Sequence, residues 1–372
     1  MLGLLCLAGV SLALACSDDD DGNGGNGGGV LRAQVGVVQS LSGPADLYGR
    51  SVVNGIELAM LEIKESEPDV DLTMLVRDDQ STVEGGRAAF EAMEEGGVAA
   101  IIGPTLSNVA LEAMPLAQDA GIPVLGATTT AQGIVEVGDY VFRVALTEAI
   151  VVPATVERVN EISPFSTAVL VYEGSDAFSR SSADAMRDGV AKIGASIVAE
   201  VDVSQRDIDD ALAEIDSGEV DAFLVTPLVE QAGPIVEAVR AAGFDGLLIG
   251  GNSFNTLAIS GASGEAVEGA YVGAAWNPAL ERGPSQDFVA AYSERYGSAP
   301  DLFAAQGYSA VYVLLDALKR AGSTQGEALR DALAETSGVE TPLGTLSFNE
   351  RREALHEPVV QRFEGGKLMV VE

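Results

Sequence analysis

The stretch IIGPTLSNVALEAM, residues 101–114, sets Thr105, Ser107 and Asn108 between an apolar run ending in Gly103-Pro104 and a segment of helical periodicity. A helix start leaves backbone N–H groups without partners, and Ser107 is well placed to cap them. The same N–H groups, with the positive end of the helix dipole behind them, make a site for an anion such as a carboxylate. From these residues alone both roles stay open. Chemistry of the catalytic kind is scarce elsewhere. The chain has a single histidine, His356, in a polar segment where a solvated role is expected, and no G-x-S-x-G, S-x-x-K or metal-ligand cluster. No enzyme, cofactor or metal site is therefore expected.

Both cysteines, Cys6 and Cys16, fall in the first sixteen residues, so the body of the chain carries neither a disulfide nor a thiolate site. The opening MLGLLCLAGVSLALAC is apolar but too short to span a membrane. It reads as a secretory signal ending in a lipobox, ALAC, with Cys16 as the lipidated residue. Ala13 stands where leucine is preferred, and no Lys or Arg precedes the apolar run, which a start codon placed too late would explain. By lipoprotein sorting rules, Ser17 rather than aspartate after Cys16 favours an outer membrane if the cell has one. Residues 17–29, SDDDDGNGGNGGG, have no apolar side chain and are expected to form a flexible tether. Gly22, Gly24 and Gly27 satisfy G-x-G-x-x-G there, but the motif follows four aspartates rather than a strand and binds no phosphate.

With 21 basic and 56 acidic residues, the net charge of −35 repels a phosphate backbone, which excludes nucleic acid as a partner. From residue 30 short apolar runs alternate with helical periods. AQVGVVQSL reads as a strand, and Val52, Ile56, Ala59 and Ile63 recur at helical spacing in the next segment. VDLTMLVRDD, VAAIIGP and IPVLGA continue the alternation, with Ser81 and Glu84 read as a capping box and Gly121 as a helix end. The pattern restarts near residue 167 with TAVLVYEG, SIVAEVDV, VDAFLVTP and LLIGG. Two such series predict an α/β protein with two parallel-sheet lobes. Ligands bind beyond the carboxyl ends of such strands. Those ends here are rich in Ser, Thr, Asn and Gly, which suits hydrogen bonding to a small polar molecule.

The stretches VGVVQSLSGPADLYGRSVVNGIELAM, IIGPTLSN, AGIPVLGATTT, VRAAGFDG and PDLFAAQGYSAVYVLLDAL together resemble the periplasmic leucine/isoleucine/valine-binding protein family, in order and over residues 30–372. The resemblance implies the type I periplasmic-binding fold: two doubly wound parallel-sheet lobes joined by three hinge crossings, closing on a ligand between them. It implies crossings near 143–145, 272–275 and 343–346, hence lobes of 30–143 plus 274–344 and of 145–272 plus 346–372. The function it implies is a lipid-anchored, extracytoplasmic solute-binding subunit of an ABC importer, with permease subunits as partners and the membrane met only through the lipid. A sensor of the same fold, signalling to a separate partner, is the alternative.

Carried over by position, the resemblance implies that Ser107 and Thr130 hold a ligand carboxylate, and that the carbonyl of Thr128 takes a ligand ammonium. It implies ligand contacts for the aromatic side chains of Tyr48, Phe178 and Phe303, while Trp276 is expected at a hinge. Two positions depart from the family. Asn252 stands where a glutamate pairs with the ammonium, and Leu228 replaces an aromatic. A neutral amide supplies no charge-assisted bond to an ammonium. Either Glu173, Asp176 or Glu230 substitutes from nearby loops, or the ligand is not a free α-amino acid.

Overall fold

The computed structural model describes residues 30–281 and 283–371; the signal, Cys16 and the tether lie outside them. The first series builds a five-stranded sheet. It runs β1 (Leu31–Gln39), α1 (Asp46–Ser66), β2 (Val70–Asp78), α2 (Val83–Glu95), β3 (Ala100–Ile102), α3 (Ser107–Ala120), β4 (Val124–Gly126) and β5 (Val141–Arg143). The strand order is β2-β1-β3-β4-β5, parallel throughout. Val35, Val37, Ile101, Ile102, Val124 and Leu125 are wholly buried, as continuous apolar strands covered on both faces must be. The helical stripe of Val52, Ile56, Ala59 and Ile63 is buried too.

The second series runs α4 (Glu148–Ile162), β6 (Thr167–Tyr172), α5 (Ala177–Lys192), β7 (Ser196–Asp202), α6 (Ile208–Leu212), β8 (Ala222–Val225), α7 (Val229–Ala241), β9 (Leu247–Gly250), α8 (Ala258–Ser263) and β10 (Tyr271–Ala274). Three helices follow, α9 (Gly283–Tyr296), α10 (Leu302–Ala321) and α11 (Gly326–Ala334). They return to the first lobe. α10 lies along α1; the two approach so closely that a Cβ on Gly55 would stand 2.0 Å from the carbonyl oxygen of Ala304. The hydroxyl of Tyr296 on α9 donates to the carbonyl of Asn54 at 2.9 Å.

The last strands are β11 (Val339–Thr341), β12 (Gly344–Phe348), β13 (Ala354–Leu355), β14 (Val359–Glu364) and β15 (Lys367–Val370). β14 and β15 add antiparallel to the second sheet, whose order is β15-β14-β10-β9-β8-β6-β7. β11 to β13 form a small sheet of their own. The third passage between lobes therefore falls at 355–359, not at 343–346. Residues 344–355 are held to the first lobe. Phe348 packs on Phe142 with ring centroids 5.5 Å apart, and Arg352 donates to the carbonyls of Val141 (3.1 Å) and Val135 (2.7 Å).

The capping box also shifts by one residue. Thr82, not Ser81, caps α2, its hydroxyl accepting from the Gly85 N–H at 3.0 Å. Ser81 sits at φ +58°, and its hydroxyl donates to the carbonyl of Ser42. Among the described residues no helix is long and apolar enough to cross a membrane.

Candidate functional site

The carboxyl ends of the two sheets face each other across a small cavity. Tyr48, Thr105, Leu106, Ser107, Thr128 and Phe303 line it from the first lobe; Phe178, Leu228, Asn252 and Ser253 line it from the second. None of these residues is charged.

On the first wall, Ser107 is the first residue of α3, and Leu106 occupies the cap position with no side-chain bond to the helix. The expectation that Ser107 caps α3 is thus corrected. Its hydroxyl instead accepts from the Ala131 N–H at 3.3 Å, tying the 128–131 turn to the helix start. The start of α3 consequently reaches the cavity without a side-chain cap, leaving its N–H groups and the positive dipole end for a solute. Thr128 spends its hydroxyl on the Thr105 carbonyl at 2.8 Å. Thr105 in turn donates to Gln39 Oε1 at 2.7 Å and accepts from the Ser40 N–H at 2.9 Å. These bonds hold the turn rigid. Behind it lies the buried guanidinium of Arg143, which donates to the carbonyls of Thr129 and Ala131 and pairs with Glu353. Burial lowers its pKa and the Glu353 carboxylate opposes that, so a cation sits beneath the turn.

Thr130 is buried but not on the cavity wall. Its carbonyl accepts from the Glu148 N–H at 3.2 Å. The Glu148 carboxyl, wholly buried at the first crossing, lies beside the hydroxyls of Thr130 and Ser182 and the backbone of Asn252. Burial pushes its pKa up to about 7 and those neighbours pull it down. The Thr130 and Ser182 hydroxyls are close enough to act on it without reaching hydrogen-bonding geometry.

On the second wall, Phe178 enters at the start of α5, where Asp176 accepts from the Ser179 N–H at 2.8 Å as the helix cap. Ser253 donates to the Pro227 carbonyl at 2.7 Å. Asn252 turns its Oδ1 to Asn255, whose Nδ2 donates to it at 2.8 Å. The two walls are bridged. Tyr48 Oη accepts from the Val229 N–H at 3.0 Å and donates to the Ser253 carbonyl at 3.3 Å. Burial raises its pKa well above the usual tyrosine value, so the bridge stays neutral. The Gln132 N–H adds a second bridge to Ser181 Oγ at 3.1 Å.

The structure therefore gathers Tyr48, Ser107, Thr128, Phe178, Asn252 and Phe303 around one cavity and leaves Thr130 behind its wall. Tyr48 and Phe303 meet edge to face at 4.9 Å. Glu173 is held by Ser175 and Gln231, and Glu230 faces solvent; neither they nor Asp176 lines the cavity. Trp276 is buried against Phe288, donates to Ser285 Oγ at 2.8 Å and lines a separate cavity. Arg143, Glu148 and Ser253 were not singled out from sequence. An arginine at the end of a strand and a glutamate in a first helical turn are ordinary surface signals until the crossing buries them.

A family model described as periplasmic binding protein matches residues 33–367. The chain belongs to that family. Within it, the Leu/Ile/Val-binding protein homolog 1 of Brucella suis biovar 1 is 23% identical over 323 residues, covering 85% of this chain and 86% of the relative. The fold is shared with the branched-chain amino acid transporter substrate-binding protein LivJ of Streptococcus pneumoniae, solved in complex with isoleucine. That likeness has a TM-score of 0.85 at 23% identity, over 91% of this chain and 99% of LivJ. It is shared equally with an ABC transporter solute-binding protein of R. palustris solved with benzoate, with a TM-score of 0.83 at 21% identity, over 91% and 95% of the two chains. The type I periplasmic-binding fold, two lobes joined by three crossings, is thereby the fold of this family member.

Proposed function

We propose that this chain is the extracytoplasmic solute-binding subunit of an ABC importer and that it closes on a small carboxylate-bearing ligand without transforming it. The observation that carries the reading is the uncapped start of α3 on the cavity wall, backed by the 128–131 turn and Arg143. That arrangement suits an anion. Isoleucine and benzoate, held by the two structural neighbours, differ in almost everything but a carboxylate. The lobes in this reading are 30–143 plus 274–355 and 145–272 plus 359–371. Ser107, Thr128, Asn252 and the aromatic rings of Tyr48, Phe178 and Phe303 contact the ligand, and Thr130 supports the turn. Its partners are permease subunits, and Cys16 carries the lipid that keeps the protein at the membrane.

The test is a thermal shift of the full chain against amino acids, 2-oxo and 2-hydroxy acids, aromatic acids and amides. A ligand at about a hundred times its Kd adds roughly 2.7 kcal/mol of stability. A panel without any shift would falsify the solute-binding reading. Cys16→Ala should abolish incorporation of labelled fatty acid while leaving the melting temperature of the body unchanged; label persisting in that variant rules out Cys16 as the anchor.

A further inference from the structure

A chain of four buried amides runs away from the second wall of the cleft. Asn277, Gln361 and Asn255 are all at most 2% exposed, and Asn252 at the cleft end is 9% exposed. The direction of every hydrogen bond in this chain is set by backbone groups that can act in only one sense. At the far end, Asn277 Oδ1 accepts from the Ala279 N–H at 2.8 Å, and its Nδ2 donates to the Leu368 carbonyl at 3.0 Å. That leaves the second N–H of Nδ2 for Gln361 Oε1. Gln361 must then donate through Nε2, which it does to Asn255 Oδ1. Asn255 has both N–H groups left to give. One goes to the Gly273 carbonyl at 2.8 Å and the other to Asn252 Oδ1 at 2.8 Å. An amide has one oxygen and one NH₂ group, so the orientation of each member dictates the next.

We infer that Asn252 presents its NH₂ group, not its oxygen, to the cleft, and that the ligand meets it with a hydrogen-bond-accepting oxygen rather than an ammonium, which among acids of one carbon skeleton selects a 2-oxo or 2-hydroxy acid over the α-amino acid. This rests on the reading of the cleft as a solute site and specifies its ligand class. Asn252 Nδ2 makes no hydrogen bond to the described residues, and Asn252 lines the cavity. An ammonium is all donor and no acceptor, so it meets a second donor there and no lining residue carries a negative charge. Turning Asn252 around would bring its NH₂ against that of Asn255. Relieving that clash requires Asn255 to give up the Gly273 carbonyl and then Gln361 to turn, against an Asn277 anchored at both of its ends. Asn255, Gln361 and Asn277 thus act as positioning residues for a specificity they never touch.

The test is isothermal titration of the full chain, dialysed free of co-purifying solute, with leucine, 2-oxo-4-methylpentanoate and 2-hydroxy-4-methylpentanoate, which share one carbon skeleton. At least one oxygen acid should bind about tenfold or more tightly than leucine, the value of one well-placed hydrogen bond. Asn252→Asp keeps an oxygen for Asn255 and puts a carboxylate in the cleft, so the preference should swing to leucine by a further tenfold or more. Gln361→Glu is the sharper variant. It makes no ligand contact, yet as an acceptor it pulls the Asn255 NH₂ group toward itself, reverses Asn252, and moves the ratio of the two dissociation constants toward leucine. A purely structural role would weaken all three ligands alike. Leucine binding as tightly as the oxygen acids in the wild type, or a ratio untouched by both variants, overturns the inference while leaving solute binding intact. Binding confined to acids with no substituent beside the carboxylate overturns it too. If neither these acids nor any member of the wider panel binds, the inference and the solute-binding reading fall together.

Discussion

The two walls of the cleft hold comparable polar side chains but are built by different means. The first wall is made by backbone. The uncapped start of α3 and the turn at 128–131 offer donors whose direction is set by one helix and one turn, with the Arg143 guanidinium holding the turn from beneath. The second wall is made by side chains whose direction is set from 18 and 106 residues beyond Asn255, through Gly273 and Gln361. On the proposed function, recognition of the carboxylate is therefore local, whereas the choice between an accepting oxygen and an ammonium is remote, and a single distant amide changes it.

Substitutions on the first wall, at the junction and at the bridge test this contrast. The largest effect is expected on the first wall. Ser107→Asp places a carboxylate where the ligand's own belongs; two like charges about 4 Å apart repel by about 4 kcal/mol at an effective dielectric of about 20, or about a thousandfold in affinity. Titration should show binding of every carboxylate ligand lost, whatever its α substituent. A loss confined to one ligand class would contradict a wall that reads only the carboxylate.

Glu148 sits where the walls join, and its effect should appear in stability. Its folded pKa of about 7 lies above the ordinary value of 4.5, so the folded state binds the extra proton between those values. The protonated form's contribution is fully present below about pH 4.5 and is lost as pH rises through about 7. The cost of ionising it in place is on the order of 3 kcal/mol. Glu148→Gln should match the wild type near pH 4.5 and exceed its stability by about that amount at pH 8, as read by denaturant unfolding. Equal pH dependence in the two proteins would show that the carboxyl is not buried in the folded state.

The smallest effect belongs to the bridge. Tyr48→Phe keeps the ring on Phe303 but removes the hydroxyl shared by Val229 and Ser253. Each such bond is worth about 1 kcal/mol net. Affinity for all ligands should fall by about five- to thirtyfold, with a faster off-rate and no change in the ratio between ligand classes. Stopped-flow release separates this from the Gln361→Glu effect, which changes the ratio.

Much of the first lobe was legible because its signals are local. Val52, Ile56, Ala59 and Ile63 carry their helical spacing in the sequence and are buried as that spacing requires. Gly121 reads as a helix end and adopts φ +67° there. Local signals misled where a neighbour competed. Ser81 fits a capping box, but its hydroxyl is taken up by Ser42 and the Ala45 N–H across the loop, and the cap passes to Thr82. The crossing implied near 343–346 put β12 at the lobe boundary, whereas its place in the first lobe depends on Phe348 meeting Phe142 and on Arg352 reaching Val141, contacts more than 200 residues apart. Thr130 was drawn to the cleft by its position in the GATTT run, yet the turn aims Thr128 at the cavity and Thr130 at Glu148.

The alternation of buried strands and amphipathic helices, the scarcity of catalytic groups and the placing of Ser107 at a helix start followed from residue order alone, since periodicity and backbone valence act over a few residues. The uncapped state of α3, the burial of Arg143 and Glu148 and the orientation of Asn252 were decided only by the tertiary structure. A hydrogen bond's direction depends on which partner arrives, and Asn252, Asn255, Gln361 and Asn277 meet only after the chain has passed between the lobes three times.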